Sequence, residues 1–280
     1  MNSDSFFTIG STHKVCEDYA LSVNECSDGR LNPFIALSDG CSSAPNTDFG
    51  SRILVKAIEN LYCIQGISPE DPLLTELIWE KALNAITQIS GLTIHSLDAT
   101  LLFAYKSDKN INVVIIGDGA VSAKAKDGNI FTKTIEYKGN APLYLSYLHT
   151  SDTERMKRRE AEFDCTKIVS NIHHRKGNII NRVDAVSSNI IERFSFPIED
   201  FDYVSIFSDG CNSFVQQEID GGTKVNQSMP EHVIIEFAMD FKNNGGEFVR
   251  RRCQRFLKDL ATANAKSTDD FTMTTIYTGE

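Results

Sequence analysis

One four-residue string occurs twice in this chain, each time at the end of a short, largely apolar run. Phe34-Ile-Ala-Leu precedes Ser38-Asp39-Gly40-Cys41, and Val204-Ser-Ile-Phe precedes Ser208-Asp209-Gly210-Cys211. Runs of this length, rich in β-branched and aromatic residues and closed by a turn pair, predict buried strands. Each strand then ends in a carboxylate, with a glycine behind it where another group can approach the backbone closely. Asp-Gly alone is a turn signal. Of the six such pairs in the chain, Asp28, Asp127 and Asp220 sit among polar residues and read as turns. Asp39 and Asp209 directly follow apolar runs and continue into Cys, and two near-copies favour a shared task. Asp118 also follows a strong strand, but a second strand begins at once, so a hairpin turn explains it as well.

The segments around these sites set the fold class. Strands at 19–23 and 34–38 flank the turn Ser27-Asp28-Gly29-Arg30, which makes the Asp18 and Asp39 strands antiparallel neighbours. Residues 100–105 and 112–116 form a second hairpin, and 120–125 with 130–137 a third. Hairpins point to antiparallel sheets, because parallel strands need long crossovers. Between them, Ile53, Leu54, Ala57, Ile58 and Leu61 have helical spacing behind a Thr47-Asp48 cap. A second helix begins around Pro72 and buries Leu73, Leu74, Leu77, Ile78, Leu83, Ile86 and Ile89, with Trp79 in a packing role. Two more helices are expected at 231–241 and 247–263, and a charged surface helix at 152–163. Residues 168–186 read as a helix interrupted at Gly177, with His173-His174 on its surface. The basic runs Arg155–Arg159 and Arg250–Arg252 read as solvated helix faces. The class is α+β. No linker divides the chain, so residues 1–280 read as one domain.

Composition excludes several functions. No stretch approaches the ~18 apolar residues of a membrane span, and MNSDSFFTIG lacks the features of a signal peptide. A cytoplasmic location follows. The net charge of −10 argues against nucleic acid or an anionic membrane as partner. Seven cysteines without a C-x-x-C pair argue against a disulfide framework and a structural zinc site.

Acidic pairs at two further strand borders, Glu17-Asp18 and Asp269-Asp270, complete the candidate chemistry. If Asp18, Asp39, Asp209 and Asp269 converge, their mutual repulsion calls for a cation. An all-oxygen cluster suits Mg²⁺ or Mn²⁺. Two such ions sharing a carboxylate and a water would make that water a nucleophile near neutral pH, as in phosphate ester hydrolysis.

The order Glu17-Asp18, Asp39-Gly40, Thr100-Leu-Leu, Gly117-Asp118-Gly119, Asp209-Gly210 and Asp269-Asp270-Phe-Thr resembles the metal-dependent serine/threonine protein phosphatases of the type 2C family. The likeness runs from about His13 to Tyr277. It is nearest to bacterial members, through His13 … Cys16-Glu17-Asp18 and, more loosely, Lys138-Gly-Asn140-Ala-Pro-Leu-Tyr144. The resemblance implies a four-layer α-β-β-α sandwich, two packed antiparallel sheets flanked by helices. It implies two Mn²⁺ or Mg²⁺ ions, with a third in bacterial members. Asp39 would bridge the metals and Gly40 would offer its carbonyl. Asp209 and Asp269 would hold the second ion, Asp18 would bind through water, and Asp118 with Asp209 would hold the third. The expected partner is a phosphorylated protein, the substrate of an opposing Ser/Thr kinase.

Two departures stand out. His13 occupies the position where many members carry a phosphate-gripping Arg, and Cys41 that of a His found in some eukaryotic members. They leave open two alternatives, an inactive phosphatase-like binding module and a phosphatase of a non-protein phosphoester. On the enzyme reading, Asp39, Asp209 and His13 are the candidate catalytic residues.

Overall fold

The computed structural model describes residues 1–25, 27, 29, 32–149, 153–220 and 223–279. Two antiparallel sheets form its centre. The larger has seven strands, in the spatial order Asn2–Thr8, Phe271–Tyr277, Phe201–Phe207, Gly119–Ala125, Ile130–Tyr137, Lys167–Arg175 and Asn178–Ser187. The smaller has five, in the order Ile191–Pro197, Asn110–Ile116, Leu101–Ser107, Phe34–Ser38 and Tyr19–Val23. A three-stranded ribbon of Thr223–Ser228, Phe214–Asp220 and Ala265–Ser267 lies beside them.

Apolar side chains gather in three layers, and these define a four-layer sandwich. One layer lies between the helices Thr47–Glu59 and Leu74–Thr87 and the smaller sheet, around Leu54, Ile58, Ile78 and Phe103. The second lies between the two sheets, around Ile35, Leu37, Leu102, Val121 and Ile206. The third lies between the larger sheet and the helices Glu231–Ala238 and Phe248–Thr262, around Phe207, Phe214, Phe256 and Phe271. Because both of their faces are covered, Phe34–Ser38 and Leu101–Ser107 of the smaller sheet open on continuous apolar runs rather than alternating. In Leu101–Ser107, Leu101 and Phe103 pack on the helices while Leu102 and Ala104 pack on the other sheet.

The three hairpins read from the sequence form as expected, with Tyr19 opposite Ser38 in the first. The turn at Ser27–Arg30 and the loop at Asp220–Gly222 lie partly outside the described residues. Several expectations are corrected. Thr47 is the first residue of its helix rather than its cap. Asn46 precedes it in the left-handed region, and the Thr47 hydroxyl bonds Cys41 O and Glu17 Oε1 instead. Leu73 and Ile89 flank the second helix and are exposed.

The largest correction concerns residues 168–186, which form a β-hairpin and not a helix. Residues 170–175 alternate in burial, and Lys176 and Gly177 both take positive φ (51° and 74°), the geometry of a tight hairpin turn. Its density of Ile and Val was the overlooked signal. The pair His173-His174 therefore points to opposite faces of a sheet. His173 stacks on Phe131, while His174 is fully buried against Thr132 and Glu236.

Candidate active site

Every candidate carboxylate sits at a strand terminus or a crossing point. Asp39 follows Phe34–Ser38, Asp209 opens a short 3₁₀ turn after Phe201–Phe207, Asp18 precedes Tyr19–Val23, and Asp269 lies just before Phe271–Tyr277. Asp118 is not a hairpin turn. The strand before it belongs to the smaller sheet and the strand after it to the larger, so Gly117-Asp118 is where the chain crosses between sheets. Gly117 and Gly119 flank the crossing at φ 96° and 123°. A Cβ on Gly119 would stand 2.7 Å from the carbonyl oxygen of Phe207.

A second set of residues holds the carboxylates in place. The Asp39 N–H donates to the Thr100 hydroxyl (3.0 Å), and the Ser38 hydroxyl donates to the Thr100 carbonyl. The Ser208 hydroxyl donates to Asp18 Oδ2 (2.9 Å) and accepts from the Thr272 N–H (3.2 Å), so it ties the smaller sheet to the larger. Asp270 accepts from the Gly10 N–H (2.7 Å) and the Glu17 N–H (2.6 Å), which fixes the segment carrying Asp18. Asp98 anchors the loop after Asp39 through its carbonyl, which accepts from the Cys41 N–H. Its carboxylate accepts from the Ser146 hydroxyl (2.6 Å).

The electrostatics of the cluster are unfavourable as it stands. Loss of solvent, then the charges of Asp18 and Asp209, hold the Asp39 carboxyl well above the ordinary carboxylate range. Burial pushes Asp18 up to about 7. Asp118 is raised by burial and by Asp209, and Asp269 by the same two causes. Asp18 and Asp209 are thus the charged neighbours that act on Asp39. One Asp18 oxygen, Oδ1, is buried without a partner. Buried, mutually repelling carboxylates with an orphaned oxygen are what a divalent cation with hard oxygen ligands relieves. The donor set of Asp18, Asp39, Asp118, Asp209 and Asp269 fits such ions.

These groups open onto a pocket of about 340 Å³, lined by Asp39, Gly40, Asp118, Asp209, Asp269, His13 and Arg159 among others. His13 is already engaged. Its ring nitrogens stand 3.2 Å from Asp269 Oδ1 and 3.2 Å from Asp270 Oδ1. Burial alone would lower its pKa, but Asp269, Asp270 and Glu17 outweigh that and raise it. His13, Asp269 and Asp270 are close enough to share an ion, although Asp270 already accepts from two backbone N–H groups.

Arg159 is the residue the sequence reading missed, taken there as part of a solvated face. It reaches the pocket from the helix Thr153–Glu162. Its guanidinium lies 5.5 Å from the ring centre of Tyr144, 5.0 Å from that of Tyr147 and 5.7 Å from that of Phe163, and donates to the Tyr147 hydroxyl (3.0 Å). Aromatic faces attract a guanidinium and limit its freedom. Asn140, Ala141, Pro142, Tyr144 and Phe163 line the pocket together with Arg159.

This assembly matches a known family. Residues 11–233 match the family described as Protein phosphatase 2C. The chain belongs to that family. By family it is a protein phosphatase, and its layered sheets are the family's fold. No curated protein matches the chain. Among solved structures it is similar to a bacterial serine phosphatase at 10% identity and TM-score 0.57, over 100% of this chain and 98% of that one. It is also similar to the serine/threonine phosphatase Stp1 from Staphylococcus aureus, at 10% identity and TM-score 0.54 over 99% and 95%. The serine/threonine phosphatase of S. agalactiae gives 12% identity and TM-score 0.54 over 98% of each chain. At such identities these likenesses concern the fold alone. Among the described residues no helix is long and apolar enough to cross a membrane.

Proposed function

We propose that this 2C phosphatase hydrolyses phosphoserine and phosphothreonine in proteins and requires Mn²⁺ or Mg²⁺. The observation that carries the reading is the gathering of Asp18, Asp39 and Asp209, with Asp18 buried and one of its oxygens unpartnered, a cluster at odds with its surroundings until a cation joins it. Asp39, Asp209 and Asp269, with the Gly40 carbonyl, would hold two ions. Asp18 would act through water, and Asp118 with Asp209 would hold a third. Such ions supply charge neutralisation of the phosphoryl oxygens and a water acidic enough to attack at neutral pH.

The chain's own residues do the rest. Arg159, steadied by Tyr144, Tyr147 and Phe163, points a planar two-pronged donor into the pocket and suits a phosphate dianion better than His13 does. His13 stands against Asp269, whose charge, with that of Asp270, favours its protonated form. The Thr100 hydroxyl holds the Asp39 backbone in place, and Ser208 holds the Asp18 carboxylate. A phosphoprotein opposed by a Ser/Thr kinase is the substrate class, and residues 1–280 act as one catalytic domain, because pocket residues run from His13 to Asp269. Free cysteines among the described residues support a reducing, cytoplasmic setting.

The test is phosphate release from a phosphoserine peptide with Mn²⁺ titrated in. Activity that needs the metal, stops with chelator, and disappears in Asp39→Ala and Asp209→Ala is expected. Full activity in either folded variant overturns the assignment. Mn²⁺ binding without turnover would favour the inactive binding module.

A further inference from the structure

The outermost strand of the larger sheet, Asn178–Ser187, has a neighbour on one side only among the described residues. Its side chains from Asn178 to Val186 are all exposed, and Ile180, Val183 and Val186 are exposed by 57%, 54% and 71%. Such an edge presents open N–H and C=O groups and is a template for another strand. The strand contains neither Pro nor Lys, and its guards are a bulge at Ile180 and two charges. Its two charges, Arg182 and Asp184, lie on one face and pair with each other at 2.9 Å, each side chain about half exposed.

We propose that this edge seats a second copy of the chain, with Asn178–Ser187 pairing antiparallel to itself in a symmetric dimer. The charges select the register. Twofold pairing places residues equally far from the axis, in opposite directions, across from one another. With the axis at Val183, Arg182 faces the partner's Asp184, Asp184 faces the partner's Arg182, and Ile180 faces the partner's Val186. Val183 meets its own copy. An axis at Arg182 or Asp184 would set like charges against each other, and an axis between residues would set charge against apolar side chains. Only the Val183 axis makes an alternating square of two guanidiniums and two carboxylates with apolar pairs at both ends. A register shift in the hairpin leaves Ile180 as an extra residue, so flush pairing runs from Asn181 to Ala185, flanked by the Ile180–Val186 contacts. None of these residues lines the active-site pocket.

Sedimentation of the full chain at micromolar to sub-millimolar concentrations tests this. A dimer is expected for the natural sequence. Arg182→Asp alone and Asp184→Arg alone set like charges across the axis twice and should weaken association by about tenfold or more. Mixing the two variants in equal amounts should restore a dimer, because one strand then offers two carboxylates and the other two guanidiniums. As a second measurement, Val183→Cys should give an interchain disulfide in air that Asn181→Cys does not. A chain that stays monomeric throughout, as it would if the edge received a different protein, overturns the proposal. So does a dimer insensitive to both reversals, or equal cross-linking of the two cysteine variants.

Discussion

The two Ser-Asp-Gly-Cys strand ends share four letters and differ in nearly everything those letters touch. Ser38 bonds within its own sheet, to Thr100, whereas Ser208 reaches across to Asp18 and joins the two sheets. Behind Asp39, Gly40 bridges to Ala99 and faces Thr47. Behind Asp209, Gly210 is wedged against the backbone of Asp270. Cys41 is partly exposed beside Ser43, while Cys211 is fully buried against Glu231. The lesson is that the Ser and Gly of the repeat do the positioning, the Asp lines the pocket, and the Cys takes whatever environment remains.

The sharpest way to break the comparison is at the carboxylate. Asp39→Asn should reduce Mn²⁺-dependent turnover to background while raising the melting temperature of the metal-free protein, because a repelled, desolvated charge is removed. A metal-free variant that melts lower than the parent would contradict this. Next come the glycines. A Cβ on Gly210 would meet Asp270 O at 1.7 Å, with no flexible group to yield, whereas one on Gly40 would meet Thr47 atoms at 2.8 Å. Urea denaturation should show Gly210→Ala costing roughly 3 kcal/mol or more and Gly40→Ala roughly 1–3 kcal/mol. Equal losses would show that the two turns are not as different as their contacts.

A smaller, pH-dependent effect should come from Glu231 at the second end. Burial, followed by the charge of Glu136, pushes Glu231 up to about 8 from its ordinary 4.5. Its carboxyl is raised on folding, so its contribution to stability is full below about pH 4.5 and is lost as pH rises through about 8. Glu231→Gln should therefore flatten the decline of melting temperature over that window, and an unchanged slope would exclude Glu231 as its source. The smallest effect belongs to Cys41. Cys41→Ser should shift stability by less than about 0.5 kcal/mol, and mass spectrometry should find Cys41 labelled by a thiol reagent in the native protein while Cys211 stays unlabelled until unfolding.

Much of the fold was legible because it is local. Each hairpin is a short apolar run, a polar turn and a second run, and the two helix pairs announce themselves by spacing. The hairpin at 167–187 was misread because short Ile/Val-rich stretches fit either period. His174 was consequently put on the surface when it is buried. The carboxylates were legible as strand ends carrying charge. Asp270 looked like one more acidic residue, and only its two backbone N–H partners, far away in sequence, show that it is scaffolding.

What the sequence determined by itself was the list of acidic residues, their attachment to strand ends, and the antiparallel α+β class, all of which follow from neighbours within a dozen residues. Tertiary structure alone decided which of them meet. It made Asp118 a crossing between sheets rather than a turn, turned His13 toward Asp269 and Asp270, and brought Arg159 from a charged helix into an aromatic cradle at the pocket wall. The physical reason is that desolvation and charge proximity belong to packed layers. A carboxylate at a strand end is ordinary until a second sheet, closing over it, removes its water and supplies its neighbours.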